Sequence, residues 1–153
     1  MTDPNALRRL ARLAWLLDNS ITIPGTRFRI GLDAIIGLIP GLGDLLGVLA
    51  SSYIVREAAR LGAPASVLTR MAFNVAVEGL VGLVPFLGDI FDAVWKANQR
   101  NYTLLEAHIE NPRQTARASR LFVFLLGAAI VVFIVFSAAA AFLIARAVWQ
   151  AIA

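Results

Sequence analysis

Residues Leu121 to Ala145 read LFVFLLGAAIVVFIVFSAAAAFLIA, 25 residues without a charge. At about 1.5 Å per residue, this run exceeds the roughly 20 residues needed to cross the hydrocarbon core of a bilayer. A buried helix of a soluble domain would not keep so long a stretch without a polar face. The run therefore predicts a transmembrane helix inside a tail unit at 113–153. Arg113, Arg117 and Arg120 precede it, and only Arg146 follows. That bias places the N-terminal side in the cytoplasm and the C-terminus outside. Gly127, Ser137 and the alanines from Ala138 to Ala141 suit helix packing, although any membrane helix carries such residues.

The remaining composition leans the same way. The chain has 153 residues, of which 59% are hydrophobic, and its mean hydropathy is +0.73. Cysteine is absent, which excludes disulfides, thiolate metal sites and cysteine nucleophiles. The net charge is +4, and every cation except Lys96 is arginine. With this much apolar surface, anionic lipid headgroups are the expected partners of those cations, and no nucleic acid is expected.

Upstream of the tail, Asp3-Pro4 reads as an N-cap with proline at the first helical position. Leu7, Leu10, Ala11, Ala14 and Leu17 then recur at helical spacing, with Arg8, Arg9 and Arg12 on the other side. This predicts a basic amphipathic helix over 1–18. Two readings stay open: a helix lying on the cytoplasmic leaflet, or one packed on the protein with a solvated basic face. Arg12 interrupts the apolar stretch, so no leader peptide is expected.

Between helix and tail, the chain repeats itself. Gly37-Leu38-Ile39-Pro40-Gly41-Leu42-Gly43-Asp44 recurs as Gly82-Leu83-Val84-Pro85-Phe86-Leu87-Gly88-Asp89, and Asp33 falls in register with Glu78. A core over 19–112 with repeats at about 27–62 and 72–110 follows from that register. Each repeat reads as helix, Pro/Gly break, helix. The breaks are at Pro40 and Gly43, then at Pro85 and Gly88. The predicted helices run from about Ile30 to Ile39, Asp44 to Leu61, Pro64 to Val84 and Asp89 to Glu110. Gly62 is the expected C′ residue of the second. No stretch alternates with period two, so no strands are predicted.

Carboxylates in apolar surroundings are costly and need a reason. Asp44 and Asp89 follow Pro-x-Leu-Gly and precede apolar helices, where aspartate caps well. Asp33 and Glu78 lie within helices. Arg29 stands four residues before Asp33, and Arg70 and Asn74 stand eight and four before Glu78. Asp89, Asp92, Lys96 and Arg100 form a further polar row. These faces suggest a polar seam between the two copies, with acids paired to Arg70, Lys96 or Arg100. Solvated faces are the plainer alternative. No nucleophile stands beside a base, no metal-ligand spacing occurs, and GLIPGLGD lacks the Lys-Ser/Thr ending of a phosphate loop. No enzyme activity, metal or cofactor is therefore expected. Lone His108, between Glu106 and Glu110, reads as a surface residue.

Ile23-Pro24-Gly25, the two P-x-x-GD turns and the string Phe91, Asp92, Lys96, Asn98 and Asn101 carry a family likeness. From about Leu17 to Leu105 the chain resembles the family catalogued as domain of unknown function 4112. The resemblance implies a shared fold unit and no particular activity. Glu78 stands where that pattern has aspartate.

The expected architecture is an all-α membrane protein with a duplicated, pseudo-twofold helix-break-helix unit and one C-terminal transmembrane helix. Its repeats are expected either to enter the bilayer, each as a re-entrant half-helix followed by a full span, or to dock as a four-helix domain on its inner face. The expected function is that of a non-enzymatic, homo-oligomerising membrane module. A small cation or proton channel using the repeat carboxylates is the alternative.

Overall fold

The computed structural model describes residues 4–26, 29–32, 42–82, 84, 91 and 94–152. Asp3, Asp33, Pro40, Pro85, Gly88, Asp89 and Asp92 lie outside the described residues, as does most of the expected helix at 30–39. Gly43 and Asp44 are described in their backbone alone.

Helix α1 spans Pro4–Asn19. Its apolar stripe, Ala6, Leu10, Ala14 and Leu17, is buried, while Arg8, Arg9 and Arg12 are exposed. The stripe is covered by protein, chiefly by α4 (Ala97–Glu110). Of the two readings of this helix, the structure displays the packed one.

Two short strands follow, against the all-helical expectation. β1 (Ile21–Thr22) pairs antiparallel with β2 (Arg29–Ile30), with Ile21 opposite Ile30. Strands of two residues are too short for alternation to reveal them. Pro24 and Gly25 form the turn after β1: Gly25 has φ +79°, and the Thr26 N–H donates to the Ile23 carbonyl at 3.2 Å. A Pro-Gly pair suits this turn, since proline presets the first φ and glycine accepts the positive one. Gly31 is then buried so tightly against α1 that an added Cβ would run into the Leu17 carbonyl.

Helix α2 spans Leu42–Arg60. It begins two residues ahead of Asp44, which places that acid in the first turn instead of at the cap. Gly62 closes α2 as expected, at φ +86°, with Gly62 N–H donating to Ala59 and Ala63 N–H to Ala58. This paired pattern satisfies carbonyls that the helix end would otherwise leave open. Helix α3 spans Ala65–Gly82.

The predicted continuous helix from Asp89 to Glu110 is interrupted. Lys96 adopts φ +51°, ψ +61°, and α4 starts only after it. No glycine or proline marks the spot, and the cause is tertiary: groups from α1 and α3 hold the first turn of α4. Lys96 and Arg100, of the expected polar row, therefore do not share one unbroken helix. Helix α5 then runs unbroken from Pro112 to Ile152, about 60 Å, with Pro112 at its first position.

Helix α4 is the hub, since α1, α2, α3 and α5 all pack on it. Leu10, Ala14 and Leu17 of α1, Ile54 and Ala58 of α2, Val67 and Met71 of α3, and Leu105 of α4 form one apolar cluster. Helices α3 and α5 run in the same direction. Ser66 Oγ lies 3.5 Å from the Ala116 carbonyl, and one to two turns further on the Phe73 and Phe122 rings meet at 5.3 Å. Thr115 and Ser119 are buried in this contact, and beyond Phe122 the apolar side chains of α5 stand largely bare. Among the described residues, α5 is the one helix long and apolar enough to cross a membrane.

Candidate functional site

The first turn of α4 gathers polar groups from three other helices in the middle of the head. The Asp18 carboxylate, at the end of α1, is only 3% exposed. Its Oδ1 accepts from Asn98 Nδ2 and its Oδ2 from Gln99 N–H, both at 2.7 Å. Asn98 Oδ1 in turn accepts from Ser51 Oγ of α2 at 2.7 Å. The carboxylate fixes the amide's orientation, because it can only accept; the amide oxygen is left to face the hydroxyl. A buried carboxylate needs such partners, and the N-terminus of a helix supplies both N–H groups and a favourable dipole.

A second cluster adjoins it. Asn101 Nδ2 donates to the Met71 carbonyl at 3.2 Å, and its Oδ1 accepts from Asn74 Nδ2 at 2.8 Å. Glu78 Oε1 accepts from Ala97 N–H at 3.2 Å, and Trp95 Nε1 donates to the Asn74 carbonyl at 3.0 Å. Lys96 supplies no side-chain cap of its own. Asp18 and Glu78, from α1 and α3, instead receive N–H groups that the first turn of α4 cannot satisfy internally. Lys96 Nζ donates to Asn19 Oδ1 at 2.5 Å, tying the left-handed residue back to α1.

Of the residues expected in a seam, Asn74 and Glu78 face α4. The expected cations have other partners. The Arg70 guanidinium stands 5.1 Å from the centre of the Phe122 ring. Arg100 donates from Nε to the Trp95 carbonyl and lies 4.2 Å over the Trp95 ring, which stacks on Phe91 at 5.2 Å. Arg29 lies in β2 and contacts Thr22 Oγ1, so a helical four-residue relation to Asp33 does not apply. The side chains of Asp33, Asp44, Asp89 and Asp92 are outside the described residues. His108 is half-buried instead of superficial, with its Nδ1 enclosed and without a hydrogen-bond partner.

Asp18 was missed from sequence, although a signal for it existed. Leu10, Ala14 and Asp18 are spaced by four, so the acid sits on the buried stripe of α1. Ser51 shares a stripe with Ile54 and Ala58, and Asn98 and Asn101 share one with Leu105. Polar residues in the register of an apolar stripe mark this node. Chemically, the arrangement joins helices. Among the described residues, no three of His, Cys, Asp and Glu are grouped as metal ligands.

Fold and site together define a helical head, closed around a buried amide and carboxylate node, on a long apolar helix. The domain of unknown function family DUF4112 matches residues 6–109, and the chain belongs to it. The matched residues take in α1 and end one residue before α4 does, which leaves α5 outside them. No curated protein matches the chain. No solved structure matches it either.

Proposed function

We propose that this chain is a non-enzymatic, self-associating membrane module, anchored by α5 and presenting its head on the cytoplasmic side. The carrying observation is the bare apolar length of α5: Phe124, Val132, Phe133, Phe136 and Phe142 are all more than half exposed. Helix α5 is about twice as long as the hydrocarbon core is thick, and its first ten residues are held by the head. The remainder still suffices for a crossing, with Arg117 and Arg120 at the near boundary and Arg146 at the far one.

A second bare apolar surface supports self-association. A groove of about 770 Å³ runs between α2 and α3, lined by small residues such as Ser52, Ala59, Ala72, Ala76 and Gly79 with Val48 and Leu80 at one end. Small residues allow close helix approach, which suits a helix of a second copy. The pathway reading takes second place. Glu78, the repeat carboxylate with a described side chain, accepts a backbone N–H from α4.

Carbonate extraction of membranes carrying the full chain tests the anchor; the protein should stay with the lipid pellet. Accessibility labelling of N111C and Q150C should reach opposite sides, which the absence of native cysteine makes clean. Light scattering in mild detergent should give a mass above one chain. Release by carbonate, or both labels on one side, would end the anchor reading. A strictly monomeric mass would end self-association.

A further inference from the structure

On the α3–α4 side of the head, a cavity of about 480 Å³ is lined by Arg70, Trp95, Lys96, Gln99, Arg100 and Thr103 among others. Three cations border it, and its described lining residues include no carboxylate. Their partners among the described residues are a phenyl ring for Arg70, an amide oxygen for Lys96, and a carbonyl and indole ring for Arg100. Among the described residues, none of the three is neutralised by an acid. Three cations clustered around a space of this size make a receptor for an anion, and guanidinium groups match phosphate oxygens well.

The depth of the cavity says which phosphate. Arg70 lies against Phe122, the second residue of the charge-free run of α5. With α5 spanning, Arg70 therefore sits where hydrocarbon gives way to headgroups. Trp95, whose indole N–H is bonded and whose ring is stacked, has the amphipathic character common at that boundary. Val94, next to it, is exposed and apolar.

We infer that this cavity binds the phosphate headgroup of an anionic membrane lipid, with Arg70, Lys96 and Arg100 contacting the phosphate and the acyl chains leaving along the bare side of α5. The inference rests on α5 as the anchor for the source of the phosphate. It assigns the cavity one lipid per chain.

The test is titration of the full-length protein in a non-ionic detergent with short-chain phosphatidylglycerol, read by calorimetry and native mass spectrometry. Short-chain phosphatidylcholine and inorganic phosphate are the comparison probes. Phosphatidylglycerol should saturate at one per chain and bind more tightly than either. The double substitution Arg70→Gln, Arg100→Gln should weaken it about thirty-fold, from the attraction lost with two arginines. Thr103→Asp places a carboxylate at an exposed position of the cavity wall without touching the core, and should also weaken binding. Arg113→Gln with Arg117→Gln, outside the cavity, should leave affinity unchanged. Equal affinity in wild type and in both cavity variants would overturn the site. So would inorganic phosphate binding as tightly as the lipid. Selective lipid binding by a chain that carbonate strips from membranes would sink the anchor and keep the cavity. Unselective binding by a chain that carbonate cannot strip would sink the cavity and keep the anchor.

Discussion

Helices α4 and α5 are separated by one residue, Asn111, yet they distribute their side chains in opposite ways. Helix α4 buries amides: Asn98 is 1% exposed and Asn101 is fully enclosed. Helix α5 exposes phenyl rings: Phe133 is 70% and Phe136 74% exposed. In water, both choices would be unfavourable. Each becomes favourable when its surroundings are supplied from elsewhere. For α4 the other helices of the head supply hydrogen-bond partners. For α5 the supplier is lipid, on the reading proposed above. One side-chain bond and one backbone bond close the hairpin between them. Thr115 Oγ1 donates to the Ala107 carbonyl at 2.9 Å, and the Asn111 carbonyl accepts Thr115 N–H at 3.1 Å.

The sharpest way to break this contrast is Asn98→Ala. It strips the enclosed Asp18 carboxylate of one of its donors and leaves Ser51 Oγ without its acceptor. A hydrogen bond to a buried charge is worth about 1.5 to 3 kcal/mol, and the stranded hydroxyl adds about 1 kcal/mol more. Thermal melting in mild detergent should fall by roughly 10 °C. Unchanged melting would mean that the node does not hold the head together.

Next in size is Ile134→Arg, in the middle of the bare run of α5. A cation at the centre of a membrane helix raises the insertion free energy by about 2.5 to 3.5 kcal/mol. The carbonate-extractable fraction should rise while the melting of the head stays put. A comparable loss of head stability would show that α5 is packed on protein there, and the contrast would collapse.

Asn101→Ala sharpens the comparison inside α4. This network is neutral, so the loss should be smaller than at Asn98, about 1 to 3 kcal/mol for the stranded carbonyl and amide. Equal losses at the two positions would argue that the charge of Asp18 adds nothing to the node.

What sequence revealed follows the same division. Helix α5 was legible because its length and apolarity are both local properties. The buried stripe of α1 was legible through Leu10, Ala14 and Leu17, and the end of α2 through Gly62. The node was not, because Asp18 finds Asn98 and Gln99 some eighty residues away, and nothing near Lys96 announces its left-handed backbone. Asn98 and Asn101 entered through family likeness alone, and the structure supplies their roles as the amides that bind α1, α2 and α3 to the hub. The strands escaped notice because two residues cannot show a period of two. The octapeptide repeat falls mostly outside the described residues.

The smallest expected effect lies on the rim of α4, between its enclosed face and solvent. Tyr102 Oη donates to Glu106 Oε1 at 3.0 Å. Partial burial, then the hydrogen bond to Glu106, then the charges of Glu106 and Glu110, push the phenol above its ordinary value of 10.0. The folded state therefore holds the proton more tightly than the unfolded chain does. The associated stability is complete below pH 10 and drains away as pH climbs past 10 through the folded value. Tyr102→Phe removes this proton, so its stability should fall less steeply than that of the wild type above pH 10 and run parallel below. Because the phenol is only partly buried, solvent screens the charges and the difference in slope should be slight. A wild-type slope no steeper than that of the variant would place the hydroxyl in the same surroundings in both states. The rim of α4 would then belong with solvent, and the enclosed regime would be confined to the line of Asn98, Asn101 and Leu105.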